Sequence, residues 1–255
     1  MKHSFFRWFF LLLALTALGC LNQASADTVA LGSDYLHTEP GTFFDFGPGI
    51  GVVPLMGKPI GPADTDTIVH RLADAAVTPG GPGATIPIEL VALSLESVAP
   101  VNIGGSFFDV FVTLDPSHLG DDTGMMTIQE NPAGTGGTFT SFFDVFFEVD
   151  FTPVGGGPVV KVFNSLTLSN SDAPWVATVD PRFVQVMGPC GDQEANVHTG
   201  CEHLDFFIDG TVREVHPETG AHVVREAEVP EPATFTLLAT GVAGLWGLGR
   251  KRRQR

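Results

Sequence analysis

From Asp27 onwards the chain alternates short apolar runs with breakers. Val, Ile, Thr and Phe fill the runs; Gly and Pro, 30 and 19 residues of 255, punctuate them. Strictly alternating β-branched and aromatic residues between turn formers predict strands, and windows of helical period are scarce. The clearest runs are 86–98, 106–115, 125–130, 138–152, 159–169, 175–187 and 204–215. Seven strands of this kind predict an all-β fold, an antiparallel β-sandwich of jelly-roll-like form. The Gly- and Pro-rich stretch 42–62 reads as a loop region with a strand at 43–46, and 67–77 fits either a strand or one short helix.

One run occurs twice. Ser-Phe-Phe-Asp-Val-Phe at 106–111 recurs at 141–146. Side chains two apart share a face of a strand. Phe108, Val110, Val112 and Leu114 in the first copy, and Phe143, Val145, Phe147, Val149 and Phe151 in the second, are therefore the predicted core faces. The opposite faces carry Phe107, Asp109, Phe111, Thr113 and Asp115, matched by Phe142, Asp144, Phe146, Glu148 and Asp150. Four rings beside carboxylates make Phe107, Phe111, Phe142 and Phe146 a candidate contact face. The preferred expectation is that loops or neighbouring strands cover them, because strand aromatics more often pack than bind. A sugar platform would favour Trp or Tyr, and residues 27–228 hold one of each, Trp175 and Tyr35.

The two ends carry different chemistry. Lys2 and Arg7 precede the apolar run 8–18, and Ala24-Ser25-Ala26 supplies the small residues that signal peptidase reads, so residues 1–26 are a predicted signal peptide cleaved before Asp27. A rival reading makes Ala17-Leu18-Gly19-Cys20 a weak lipobox. At the other end Val229, Pro230, Glu231 and Pro232 lead into an uncharged apolar run, 234–249, and then Arg250, Lys251, Arg252, Arg253 and Arg255. As a helix that run would reach about 24 Å at roughly 1.5 Å per residue, just enough for a single transmembrane helix whose arginines snorkel. The basic end should stay cytoplasmic and leave the body outside.

This order of motif, helix and basic stop, over about a tenth of the chain, resembles the PEP-CTERM sorting signal of Gram-negative and related bacteria. The resemblance implies recognition and cleavage near Pro230–Pro232 by an exosortase, a membrane protease-transpeptidase, and export to the envelope or extracellular polysaccharide matrix. It gives an address and no activity. Three parts follow: signal peptide 1–26, acidic β-sandwich domain 27–228, and sorting tail 229–255.

Charge narrows the partners of the body. Two of the 13 basic residues fall in the signal and five in the tail, against one of the 29 acidic ones, so six basic and 28 acidic residues remain, near −22. Such a body is repelled by phosphate backbones, which excludes nucleic acid as an expected partner. Cys190 and Cys201 form an even pair in an exported chain, and one disulfide closing loop 191–200 is expected, worth about 2–3 kcal/mol. A Cys190, His198, Cys201, His203 metal set, with Asp192, Glu194 and Glu202 nearby, lacks the usual knuckle spacing. His216 and His222 read as exposed loop residues. Asp115 with Asp121-Asp122, and Asp64-x-Asp66, could hold a structural calcium but follow no calcium-loop pattern; no cofactor is expected.

Neither a nucleophile elbow, a zinc-protease helix nor a phosphate loop is present. Asp144 and Glu148 share a strand face about 13 Å apart, farther than either glycosidase geometry needs. No enzyme is expected. The expected function is that of an exported envelope or matrix protein, structural or adhesive; the alternatives are a ligand- or carbohydrate-binding surface module and a secreted hydrolase.

Overall fold

The computed structural model describes residues 26–178, 186–187, 193–194, 197–198, 206–209, 211–216 and 219–227. In chain order the strands are β1 (Asp27–Val29), β2 (Gly32–Thr38), β3 (Phe43–Asp45), β4 (Val52–Gly57), β5 (Thr67–Arg71), β6 (Ala75–Val77), β7 (Ala84–Ser97), β8 (Val101–Ile103), β9 (Ser106–Leu114), β10 (Thr123–Glu130), β11 (Gly136–Pro153), β12 (Val160–Val176), β13 (Val186–Met187), β14 (Gln193–Glu194), β15 (Val197–His198), β16 (Phe207–Ile208), β17 (Thr211–His216) and β18 (Gly220–Glu226). Among the described residues there is no α-helix, only two 3-10 turns, at Pro62–Asp64 and Pro116–His118.

All pairings are antiparallel, and one 14-stranded sheet dominates. Its path runs β15-β2-β5-β7-β4-β3-β18-β17-β12-β11-β9-β8. It closes on itself because β7, fourteen residues long, pairs with β10 and β5 over its first two-thirds and with β4 and β9 near its end. Contact of β18 with β2 closes one ring and contact of β10 with β11 another. Closure pairs many of the strand edges that would otherwise template pairing with other chains. The hairpin between β8 and β9 turns on Gly104 and Gly105, with φ of 60° and 89°, the left-handed pair that a two-residue turn of type I′ needs.

The core lies between the sheet faces. Phe44 of β3 packs edge-on against Phe147 of β11 at 5.3 Å, and Phe46 against Phe151 at 5.5 Å. Phe143, Val145, Phe147, Val149 and Phe151 are all buried, as their alternation predicts, with Val110 and Val112 beside them. Trp175 stacks on Phe206 and donates its indole N–H to the Gln129 carbonyl at 3.1 Å, which pins the far end of β12.

Several expected boundaries move. The region 42–62 holds two strands: β4 alternates Val53 and Leu55 inward with Val52 and Met56 outward, and Pro54 is tolerated because its carbonyl still accepts from Val98. Residues 67–77 form β5 and β6. No separate strand begins at Trp175; Trp175 and Val176 complete β12, held by Gly136 and Gly137 on one side and by β16 on the other. The run 204–215 divides into β16 and β17, and β1, β2 and β18 are strands beyond those expected. The tail helix 234–249 and the signal peptide lie outside the described residues; within them no helix is long and apolar enough to cross a membrane.

Candidate functional site

The repeat places its two copies on neighbouring strands. β9 and β11 run antiparallel with Phe111 opposite Asp150 and Phe108 opposite Pro153, while the second copy, early in β11, pairs with β10 and β12. The four outer phenylalanines are consequently separated. Phe107 bonds through its carbonyl to Val154, twelve residues along β11 from Phe142, or about 40 Å at roughly 3.3 Å per residue. Two of the rings are covered and two are not. The Lys58 ammonium sits 4.3 Å from the Phe111 ring centre, and His118 stacks on Phe146 at 4.5 Å with 9° between planes. Phe107 and Phe142 remain 54% and 44% exposed.

Around Phe146 the outer face becomes polar. After β9 the chain turns at Asp115, whose Oδ1 accepts from the Ser117 amide at 2.8 Å and the Ser117 hydroxyl at 2.7 Å. Its Oδ2 lies 3.0 Å from His118 Nδ1. Those bonds, the Ser117 hydroxyl foremost, hold the Asp115 carboxyl below its ordinary pKa. The same turn delivers Asp122, buried, to accept the Phe146 amide at 2.7 Å. Burial raises the Asp122 pKa, and the Phe146 amide opposes the rise. Asp144, exposed, accepts from Thr167 on β12 at 2.7 Å. An open pocket of about 540 Å³ results, lined by Asp121, Asp144, Phe146, Ser165, Leu166 and Thr167. Ser165 and Thr167 were not among the expected site residues; their alternation on β12 opposite Phe146 and Asp144 is the signal that could have found them.

The remaining expected carboxylates are tied elsewhere. Lys161 bonds to Glu148 and lies 3.3 Å from Asp150, and the two acids raise its pKa, Glu148 first. Asp66 is fully buried: Oδ2 accepts the Thr38 amide at 2.8 Å, and Oδ1 accepts the Thr38 and Thr67 hydroxyls at 2.6 and 2.7 Å. His222 is buried too, against the expectation of an exposed loop histidine, with Nε2 3.0 Å from the Thr38 hydroxyl. It borders an apolar cavity of about 50 Å³ between Phe44, Leu95, Val145 and Phe147. That volume holds a water or two, well short of the several hundred Å³ of ligand pockets. Asp115 and Asp122 point to different partners and Asp121 lines the pocket, and among the described residues no group of three or more His, Cys, Asp or Glu side chains is placed to hold a metal ion. Cys190, Cys201 and the side chains of His198 and His203 lie outside the described residues.

The C-terminal segment is the part of the chain that known proteins explain. Residues 228–253 match the PEP-CTERM protein-sorting motif. The chain carries an exosortase sorting signal. Val229, Pro230, Glu231, Pro232, Arg250, Lys251, Arg252 and Arg253 all fall within the matched residues, which marks the protein for export, for processing by an exosortase and for membrane or surface association. No curated protein and no solved structure matches the chain.

Proposed function

We propose that the body, residues 27–228, is a non-enzymatic β-sandwich module with a structural or adhesive role in the cell envelope or extracellular matrix. The carrying observation is the sorting motif at residues 228–253. Signal peptidase frees Asp27, the helix 234–249 holds the chain with Arg250 to Arg253 inside, and an exosortase-type protease cuts near Pro230 to Pro232. Cys190 and Cys201 pair once exported. The chemistry of the outer face supports a role without catalysis: Asp115, Asp122 and Glu148 each satisfy a neighbouring donor of the fold, and Asp144 lies about 13 Å along β11 from Glu148, too far for a glycosidase pair.

A second reading rests on the pocket beside Phe146. Carboxylates of Asp121 and Asp144 beside the hydroxyls of Ser165 and Thr167 suit a polyhydroxylated ligand such as an extracellular polysaccharide. Titration with purified matrix polysaccharide separates the readings: binding that Asp144→Ala abolishes in a folded protein makes the body a carbohydrate module.

The test of the main reading is intact mass spectrometry of the endogenous protein, from membrane and extracellular fractions, with and without the sorting protease. An N-terminus at Asp27 and a tail lost only when the protease is present are the expected masses. A tail kept through Arg255 in both strains reduces the segment to a plain anchor, and a lipidated Cys20 overturns the account of export.

A further inference from the structure

The long hairpin of β11 and β12 ends in surface unlike the rest of the body. On the side away from β11, β17 reaches β12 only at Ser169 and β16 only at Trp175 and Val176, so among the described residues no strand pairs with 160–168 there. The backbone donors and acceptors of that edge face outward as a template for another strand, except the Ser165 amide, whose bond Asn164 Oδ1 accepts at 2.8 Å and must release on pairing. Side chains on both faces are open as well: Val160, Val162 and Phe163 are 52%, 41% and 56% exposed. Val160 and Val162 stand opposite Phe151 and Val149, on the face that elsewhere forms the core, so the sheet reaches beyond whatever covers it.

Charge identifies the occupant. The mature body carries 28 acidic residues, yet none falls between Phe151 and Ser171, where Lys161 is the one charged side chain. Edge strands are ordinarily protected from self-pairing by charges or prolines; within 160–168 this edge has no proline and one charge, Lys161, which Glu148 and Asp150 of its own chain neutralise. We propose that the edge of β12 at residues 160–166 pairs antiparallel with the same edge of a second copy of this chain. A register centred on Phe163 satisfies its own chemistry. Phe163 then faces Phe163, Lys161 faces Ser165, so that no like charges meet, and Val160 faces Leu166 on the inner side. Lys161 keeps its own-chain partners Glu148 and Asp150, which leaves no cation unmatched at the seam. The contact is isologous, as a two-fold dimer requires. Seven residues a side make a small interface, below the area of stable complexes, so the pairing is weak in dilute solution and favoured where copies are concentrated. It deepens the structural reading above and rests on it only for biological purpose.

The test uses the full chain with a photo-crosslinking phenylalanine analogue in place of Phe163. Material labelled with ¹⁴N and ¹⁵N is mixed, irradiated and digested, and cross-linked peptides are identified by mass. The expected product joins peptides containing residues 160–166 from both isotopes, at about half of all such products, and disappears when Val162→Asp is added. Thermal unfolding of Val162→Asp alone, unchanged from the parent, shows that loss of the product is not loss of fold. Products of a single isotope alone, with no mixed product, mean that the chain covers its own edge. Products joining residue 163 to other segments mean unspecific association. Either result, or no product at millimolar chain, overturns the proposal. None of them touches the mass-spectrometric test of sorting, so the two readings fail separately.

Discussion

Replacing Asp66 by alanine should be the most damaging change to a charged residue in the body. The carboxylate accepts the Thr38 amide and two hydroxyls at 2.6–2.8 Å with no exposure to solvent, and so joins β2 to the start of β5. Bonds to a charged group contribute about 1.5–3 kcal/mol each, and a buried donor left without a partner costs about 1–3 kcal/mol. The two hydroxyls can turn to His222 Nε2, 3.0 and 3.4 Å away, whereas the Thr38 amide points at the missing oxygen. The loss is therefore less than three full bonds, about 3–5 kcal/mol out of a total of about 5–15. At about 2–4 °C per kcal/mol for a body of this size, Tm should fall by roughly 10 °C. Asp66→Asn, which can flip to place its oxygen on the Thr38 amide, should lose only about 1–2 kcal/mol. Gly57 supplies an independent lever: a Cβ there would stand 1.7 Å from Asp66 Oδ2. Gly57→Ala should destabilise the parent and do little further harm once Asp66 is alanine, because the clash then has no partner. Thermal and urea unfolding followed by circular dichroism read the four variants against the parent. A Tm for Asp66→Ala within 2 °C of the parent, or strict additivity with Gly57→Ala, would refute the reasoning.

Asp122→Asn keeps an acceptor for the Phe146 amide and removes a buried charge. The folded pKa lies above the ordinary 3.8, so the stability tied to protonation is complete below 3.8 and lost as pH rises through the folded value. The variant should accordingly be the more stable at pH 7 with the difference vanishing below pH 3.8, and unfolding curves across that range check it. Gly124→Ala would drive a Cβ to 1.7 Å from the Phe142 carbonyl oxygen between β10 and β11, at a cost of about 3 kcal/mol or more, whereas Gly155→Ala, with nothing within 4 Å, should fall within about 0.5 kcal/mol of the parent; denaturant midpoints distinguish them. Replacing Pro230, Glu231 and Pro232 together by alanine should leave the tail uncleaved and the protein in the membrane fraction, read by intact mass; normal trimming would detach the motif from its role.

The faces of the repeat were legible because period-two alternation requires only local sequence: Phe143 to Phe151 are buried at every second position. What covers the outer rings was not, since Lys58 reaches Phe111 from a loop far back in the chain and His118 reaches Phe146 from a turn. β4 was hidden by Pro54, whose missing N–H argues against a strand until the partner's register shows that only its carbonyl is used. Asp64-x-Asp66 looked like a solvated or cation-binding loop; the backbone turn and the threonines Thr38 and Thr67 instead draw Asp66 inside as an acceptor. The tail was legible as a whole because each of its parts acts through composition and order, without any fold to assemble them.

Two copies of a body near −22 repel each other, and how they can still meet fixes a measurable sign. Exposed charges interact within about 8 Å at physiological salt and about 30 Å at 0.01 M. At low salt each copy therefore meets the whole field of the other, and at 0.15 M only the charges bordering the seam. The stretch from Phe151 to Ser171 contributes no carboxylate to that seam. Tethering both copies to one membrane adds effective concentration without a new contact. Salt should hence strengthen the edge pairing: the yield of mixed-isotope product at Phe163 should rise between about 10 and 150 mM NaCl. A seam held by Lys161 of one copy on the carboxylates of another would weaken over the same range. A falling yield would mean that Lys161 leaves Glu148 and Asp150 to bridge copies, and would replace the apolar, carboxylate-free seam by an ionic one.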